Sequence, residues 1–315
     1  MPRFNPLTDI PDLAGRVCLV TGASSGLGEQ TVAQIAQHNP AKIYLAARNR
    51  GRAEAAMKRI KATFPAAATS AIEILDLDLA SFESIKAAAF RVNKEVDRLD
   101  ILQLNGGIAV TPHASTQDGY EIQFGTNYLG HALLTQLLMP KLLATTRLPD
   151  ADVRIVSMSS VGHKSFSAKD GLLFDQLKSD IKTTSGSRLY GQAMLSKALF
   201  AFELAKRYPQ ITSSSLHPGT VKTRVWSGDK DFNPILRYLV INPLVLLSGV
   251  SVKEGAKTQL WCSFGKDVRN GAYYEPVGKV GKESALARDA ELSRKLWDWT
   301  ETELKTHGAP GWPEK

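Results

Sequence analysis

The stretch RVCLVTGASSGLGEQTVAQIAQHNP, residues 16–40, constrains the fold of this chain more than any other. A short apolar, β-branched run (Arg16–Val20) leads into a glycine-rich octet and then into a helical pattern that Pro40 ends. The apolar run reads as a buried strand. A strand that feeds a helix through glycines is the opening of a βαβ unit that binds a dinucleotide. Gly22 is expected to make the tight turn, Gly26 to let the backbone approach a pyrophosphate, and Gly28 to let the helix pack closely on the strand. The spacing is G-x-x-x-G-x-G rather than the commoner G-x-G-x-x-G. Alone it would signal an ordinary turn; the strand before it and the helix after it favour the nucleotide.

The same alternation continues along the chain. Strand-like runs KIYLAAR, AIEILDLDL, ILQLNGG, VRIVSMSS and ITSSSLHPG are separated by helical patterns, among them RAEAAMKRIKATF, FESIKAAAFRVNKEV, a long stretch over residues 118–143 and another over residues 187–207. Only residues 161–187 are polar and loop-rich. The pattern predicts an α/β fold: a single doubly wound Rossmann-type domain over residues 1–315, its parallel sheet of about seven strands covered by helices on both faces. The second strand ends in Ala47-Arg48. An acid here would bind the ribose hydroxyls of NAD, whereas a 2′-phosphate calls for a cation. Arg48 can bind that phosphate in bidentate fashion, with Arg50 or Arg52 assisting. The expected cofactor is therefore NADP(H).

Composition excludes several other classes. With 43% hydrophobic and 22% charged residues, the chain is ordinary globular material. MPRFNPLTDIPDLAGRV has no apolar core of a signal peptide, and no window of eighteen apolar residues suggests a span. Cys18 and Cys262 lie far apart without metal-ligand spacing, so no metal and a reduced, cytoplasmic protein are expected. The net charge of +8 comes from Lys and Arg spread along the chain. It reads as a solvated surface that attracts a phosphorylated ligand, and no nucleic-acid motif is found.

With these residues in place, the sequence resembles the short-chain dehydrogenase/reductase family from Leu13 to about Leu304, and its motifs follow the family's order. TGASSGLG is the family's glycine motif, which implies cofactor contacts at Gly22, Ser24, Ser25, Gly26, Leu27 and Gly28. Asp78 and Leu79, in LDLDLAS, match the acid that meets the adenine amino group and its neighbour. Asn105-Gly106-Gly107 stands where the family has Asn-Ala-Gly beneath the adenosine. Asn127 matches the helix asparagine of the catalytic set, which would support a water in the proton path. Ser160 matches the catalytic serine and Tyr190 the catalytic tyrosine. His217 to Thr223 match the proline–glycine motif beside the nicotinamide, with Pro218, Gly219, Val221 and Thr223 as its contacts. The tail, GAYYEPVGKVG…LWDWTETEL, is similar to that of the retinol-dehydrogenase-like branch, especially filamentous-fungal members. Singly, Asn127 could cap or kink a helix, Ser160 end a strand and Asp78 cap a helix; in this order they are better explained together.

The resemblance implies hydride transfer between a nicotinamide and a carbonyl or alcohol, with Tyr190 as acid/base and Ser160 polarising the carbonyl. It also implies a lysine one turn after the tyrosine, which lowers the phenol's pKa and binds the nicotinamide ribose. That position is Met194 in YGQAMLSKALF. Methionine fills the space of a lysine without its charge. A lysine follows at Lys197, about 4.5 Å further along the helix, and is expected on its solvated side. Two readings stay open: an impaired reductase that differs by one lysine-to-methionine change, or a non-redox member of the family (a cyclase or isomerase) or an NADP(H)-binding sensor. The segment near residues 224–250, most of it the run WSGDKDFNPILRYLVINPLVLLSGV, is apolar and broken by Pro234 and Pro243. It is expected to cover a lipophilic small-molecule substrate, with Trp226 and Tyr238 in the lining. A homodimer contact or a shallow membrane contact are the other uses of such a segment.

Overall fold

The structure is a computed structural model and describes residues 4–169, 171–178, 184–221 and 249–314. Eight strands form one sheet: β1 (Val17–Thr21), β2 (Lys42–Ala47), β3 (Ile72–Asp76), β4 (Ile101–Leu104), β5 (Arg154–Met158), β6 (Thr212–Leu216), β7 (Tyr273–Glu275) and β8 (Lys279–Val280). Their order is β3-β2-β1-β4-β5-β6-β7-β8. All neighbours pair in parallel except β7 and β8, an antiparallel pair that extends the expected sheet of about seven strands. Every residue of β1 and β4 is buried, which is why these strands read as unbroken apolar runs rather than as alternating ones.

The helices are α1 (Pro6–Asp9), α2 (Gly26–Ile35), α3 (Arg50–Thr63), α4 (Phe82–Glu95), α5 (Ile122–Phe124), α6 (Gly130–Thr145), α7 (Gly162–Ser165), α8 (Gly186–Arg207), α9 (Val252–Phe264) and α10 (Ala290–Thr306). Local chemistry sets several of their starts. The Ser81 hydroxyl accepts the Ser84 amide at the head of α4, and Ser185 does the same for Arg188 at the head of α8. On α4, Ile85, Ala88, Ala89 and Val92 recur at helical spacing and are buried.

The helices divide the core between the two sheet faces. Leu19, Leu102 and Ile155 pack with α4, α6, α8 and α10 on one side. Val20, Ile43 and Val156 pack with α2 and α9 on the other. Residues expected to form one long helix from Asp118 are helical only from Ile122, and between α5 and α6 they pass through a π-helical turn, Gly125–Leu129. Helix α8 is buried without interruption from Leu189 to Ala201. Among the described residues no helix is long and apolar enough to cross a membrane.

Candidate active site

In a doubly wound sheet ligands bind in the crevice beyond the carboxyl ends of the strands. Here the ends of β1 and β4 are fastened to each other. The Asn105 amide nitrogen donates to the Thr21 carbonyl at 2.8 Å, and the Gly106 N–H donates to Thr21 Oγ1 at 2.8 Å. The glycines allow this closeness. Gly22 has φ of +65°, and a Cβ there would lie 2.5 Å from the Gly106 Cα. A Cβ on Gly28 would lie 2.5 Å from the Gly22 carbonyl oxygen and 2.6 Å from Asn105 Nδ2. The first turn of α2 is therefore pressed against the strand ends, with its free amides at the crevice.

The remaining expected cofactor residues line the same edge. Ser25 stands at the N-cap of α2 without spending its side chain on the cap, and Ser24 and Leu27 are partly buried beside it. One oxygen of Asp78 accepts the Ala80 amide at 3.0 Å. Leu79 faces Gly106: a Cβ on that glycine would lie 2.8 Å from Leu79 Cδ1. Arg48 follows β2, is exposed and has no ion-pair partner among the described residues, whereas Arg50 is engaged with Asp76 at 2.8 Å. Pro218 and Gly219 follow β6, where Gly219 takes φ of +89°. Val221 and Leu27 both lie against Gly255 of α9. Thr223, Trp226, Tyr238 and the expected cover up to residue 248 lie outside the described residues.

Three of the four expected catalytic residues meet around one phenol. Ser160, just past β5, accepts the Gly162 amide at 3.1 Å and hydrogen-bonds the phenol of Tyr190 on α8. Burial pushes the Tyr190 phenol above its ordinary pKa, and the bond from Ser160 works against that shift. Met194, one turn on, closes a small apolar cluster with Ala109, Val110, Tyr190 and Ala193. The space for a lysine is thus filled by a side chain with no charge.

The Asn127 side chain grips the Ile108 peptide: Oδ1 accepts the Ile108 amide at 2.8 Å and Nδ2 donates to the Ile108 carbonyl at 2.9 Å. A Cβ on Gly107 would strike Asn127 Oδ1 at 2.8 Å, so this clamp needs a glycine beside it. The main-chain carbonyl of Asn127 is engaged as well.

That carbonyl meets His131 Nδ1 at 2.8 Å and Lys197 Nζ at 3.1 Å. The expectation that this lysine lies on a solvated side of its helix is wrong, because α8 has no solvated side there: the residue is 2% exposed. Its Nζ lies 2.9 Å from the Leu104 carbonyl, 3.1 Å from the Asn127 carbonyl and 3.1 Å from His131 Nδ1. Burial pushes its pKa down to about 7. His131 Nε2 in turn lies 2.9 Å from Thr21 Oγ1. Neither His131 nor Thr21 was singled out by motif. The available signal was spacing, since His131 follows Asn127 by one helical turn and Thr21 is the last residue of the first strand.

The comparisons with known proteins agree with this fold. Residues 16–169 match the family described as short chain dehydrogenase. The chain is 36% identical to the short chain dehydrogenase/reductase dpchH of Colletotrichum higginsianum, over 96% of this chain and 78% of that one. It is 32% identical to retinol dehydrogenase 13 of Mus musculus, over 95% and 87%. Among solved structures, a Mycobacterium paratuberculosis protein covers 95% of this chain and 97% of its own at a TM-score of 0.70 and 26% identity. The NADPH-bound carbonyl reductase from chicken fatty liver shares the fold, at a TM-score of 0.60 and 24% identity over 85% of this chain and 99% of its own. Glycine loop, paired serine and tyrosine, strand order and full-length relatives lead to one assignment: the chain belongs to the short-chain dehydrogenase/reductase family.

Proposed function

We propose that the chain is an NADP(H)-dependent oxidoreductase scaffold for a lipophilic carbonyl or alcohol, with the reaction centred on Tyr190. The observation that carries this reading is the buried pairing of Ser160 with Tyr190 at the carboxyl edge of the sheet. In the reducing direction Ser160 would hold the substrate oxygen and Tyr190 would give it a proton. The bound nicotinamide supplies the hydride. Gly22, Gly26 and Gly28 would hold its pyrophosphate, and Asp78, Leu79, Asn105 and Gly106 its adenosine. The guanidinium of Arg48, exposed and without an ion-pair partner among the described residues, supports the 2′-phosphate and hence NADP(H). Ala109, Val110 and Met194 around the phenol support an apolar substrate.

Met194 brings no charge to lower the phenol's pKa, so proton transfer at neutral pH is impaired. Loss of general acid–base help costs typically ~10²–10⁴-fold in rate. The same observation favours a second reading. Ser160 and Tyr190 can polarise a carbonyl for a cyclisation or isomerisation that consumes no NADPH.

The test pairs this chain with Met194→Lys. Both are checked for NADPH binding by fluorescence, and NADPH consumption is followed against lipophilic ketones and aldehydes. Turnover restored by lysine supports the reductase reading. Binding by both chains with product formed but no NADPH consumed by either would replace it with the non-redox one.

A further inference from the structure

Ser160 is held by more than the end of β5. Its hydroxyl accepts the Gly162 amide at 3.1 Å, and its carbonyl accepts the His163 amide at 3.1 Å. The His163 ring reaches the same carbonyl, with Nδ1 2.5 Å from the oxygen. At the far side of the ring, Nε2 lies 3.2 Å from the Ser284 amide nitrogen. A carbonyl can only accept and an amide N–H can only donate. These two contacts therefore fix the imidazole: it is neutral, Nδ1 carries the hydrogen and Nε2 offers its lone pair. The opposite tautomer would set a lone pair against the Ser160 oxygen and one N–H against another at Ser284. An imidazolium would keep the first bond and lose the second.

The surroundings of the ring make it a bracket. His163 is 1% exposed, and Tyr273 of β7 meets it edge to face, 4.8 Å between ring centres. Its neighbour Lys164 fastens α7 to the same part of the chain: Nζ donates to Glu275 at 2.7 Å and to the Lys282 carbonyl at 2.5 Å. Ser284 is itself fixed, because its hydroxyl accepts the Ala287 amide at 3.3 Å and Ala287 is buried in the core shared with α8. On the other side, a Cβ on Gly162 would lie 2.9 Å from Tyr190 Cε1. The turn after Ser160 is thus set between the Tyr190 ring and residues 282–284. We propose that His163 is a positioning residue for the reaction: its Nδ1–H holds the Ser160 carbonyl and so fixes the serine hydroxyl against the Tyr190 phenol, while Ser284 aims the ring. The inference rests on the roles of Ser160 and Tyr190 proposed above and adds the group that keeps them in register.

The charges around the ring agree with a neutral imidazole. Burial pushes the His163 pKa below its ordinary value, against the pull of the Ser160 bond and of the Glu275 and Glu283 carboxylates; the Lys164 ammonium adds to burial. His217, after β6, is near enough to feel the charge of His163 and is itself lowered by burial to about 4. Asparagine and leucine have nearly the same shape, and both are too short to reach Ser284. An asparagine amide can still donate to the Ser160 carbonyl from close to the Nδ1 position, and leucine cannot. The difference between His163→Asn and His163→Leu therefore isolates the bond to Ser160.

The test has two readouts. In the chain itself, the carbon-13 NMR signal of the Tyr190 ring carbon that bears the hydroxyl reports the bond to Ser160, and its loss in Tyr190→Phe assigns it. The signal is expected to move further from its parent position in His163→Leu than in His163→Asn. In the Met194→Lys background, kcat is expected to be lower in His163→Leu than in His163→Asn by about tenfold or more, with equal NADPH affinity in the two. A histidine that only fills space would give equal signals and equal kcat in these two variants, and equality in either readout overturns the proposal. A Met194→Lys chain without turnover would count against the reductase reading, and the Tyr190 signal then decides this inference alone. Should either variant fail to fold, nitrogen NMR of the histidine rings in the parent chain decides. A neutral His163 with its hydrogen on Nδ1 is expected, and any other form overturns the proposal.

Discussion

At the residue scale, the position of one positive charge separates this chain from its family's pattern. The tyrosine has its serine, but the slot beside it holds Met194, and the lysine on the same helix sits behind the strand ends. Two expected outcomes follow from these side chains. In a Met194→Lys background, adding Tyr190→Phe should remove the restored turnover by about 10²-fold or more while NADPH binding persists. Steady-state rates with matched binding titrations measure this, and unchanged turnover would move the proton donor elsewhere. The second concerns stability. The Lys197 pKa is lowered to about 7 in the folded chain, against ~10.4 for a free lysine. Between those values the unfolded chain binds a proton that the folded chain has released. Folding stability from this residue therefore rises with pH across the window. Urea unfolding near pH 7.5 and near pH 9.5 should show that rise in the parent and a smaller one in Lys197→Met.

At the element scale, the close approach of β1, β4 and α2 makes the glycine loop intolerant of side chains. Gly22→Ala would combine a positive φ with a Cβ 2.5 Å from backbone. We expect a loss of roughly 2–4 kcal/mol in denaturant unfolding, together with loss of NADPH binding; wild-type stability in this variant would contradict the packing described. The elements themselves were legible in the sequence to different degrees. Strands β1 and β4 could be read because central parallel strands are apolar throughout, and α4 because its buried face repeats at helical spacing. The site motifs could be read because glycines, Ser160 and Tyr190 occupy strand ends and helix starts that the alternation locates. The burial of Lys197 could not. A lone lysine in an amphipathic helix belongs on the wet face, but α8 is enclosed from Leu189 to Ala201, and enclosure depends on elements far away in sequence. The π-helical turn was equally hidden, since GTNYL carries no local signal for an extra residue in the turn.

At the scale of the whole molecule, the two sheet faces carry separate apolar cores, and each cysteine is sealed in the one shared by α2 and α9. Burial pushes the Cys18 thiol well above its ordinary range and Cys262 up to about 12. A thiol-reactive chromophore should therefore label neither cysteine in the folded chain and both after denaturation. Fast labelling of the native chain would show that this core opens readily. The aromatic C-terminal segment closes the other face: Trp312 lies 4.1 Å from Trp297 between ring centres, and the Tyr208 hydroxyl donates to the Pro313 carbonyl at 2.8 Å.

The π-helical turn at Gly125–Leu129 has a consequence for how this sequence can change in length. Removing one residue between Asn127 and His131 would turn the rest of α6 by about 100° relative to Asn127. The helix would become more regular by the standards of secondary structure. It would also swing His131 away from both Thr21 and Lys197. An indel here is expected to break these contacts through its angular effect, whatever residue is lost.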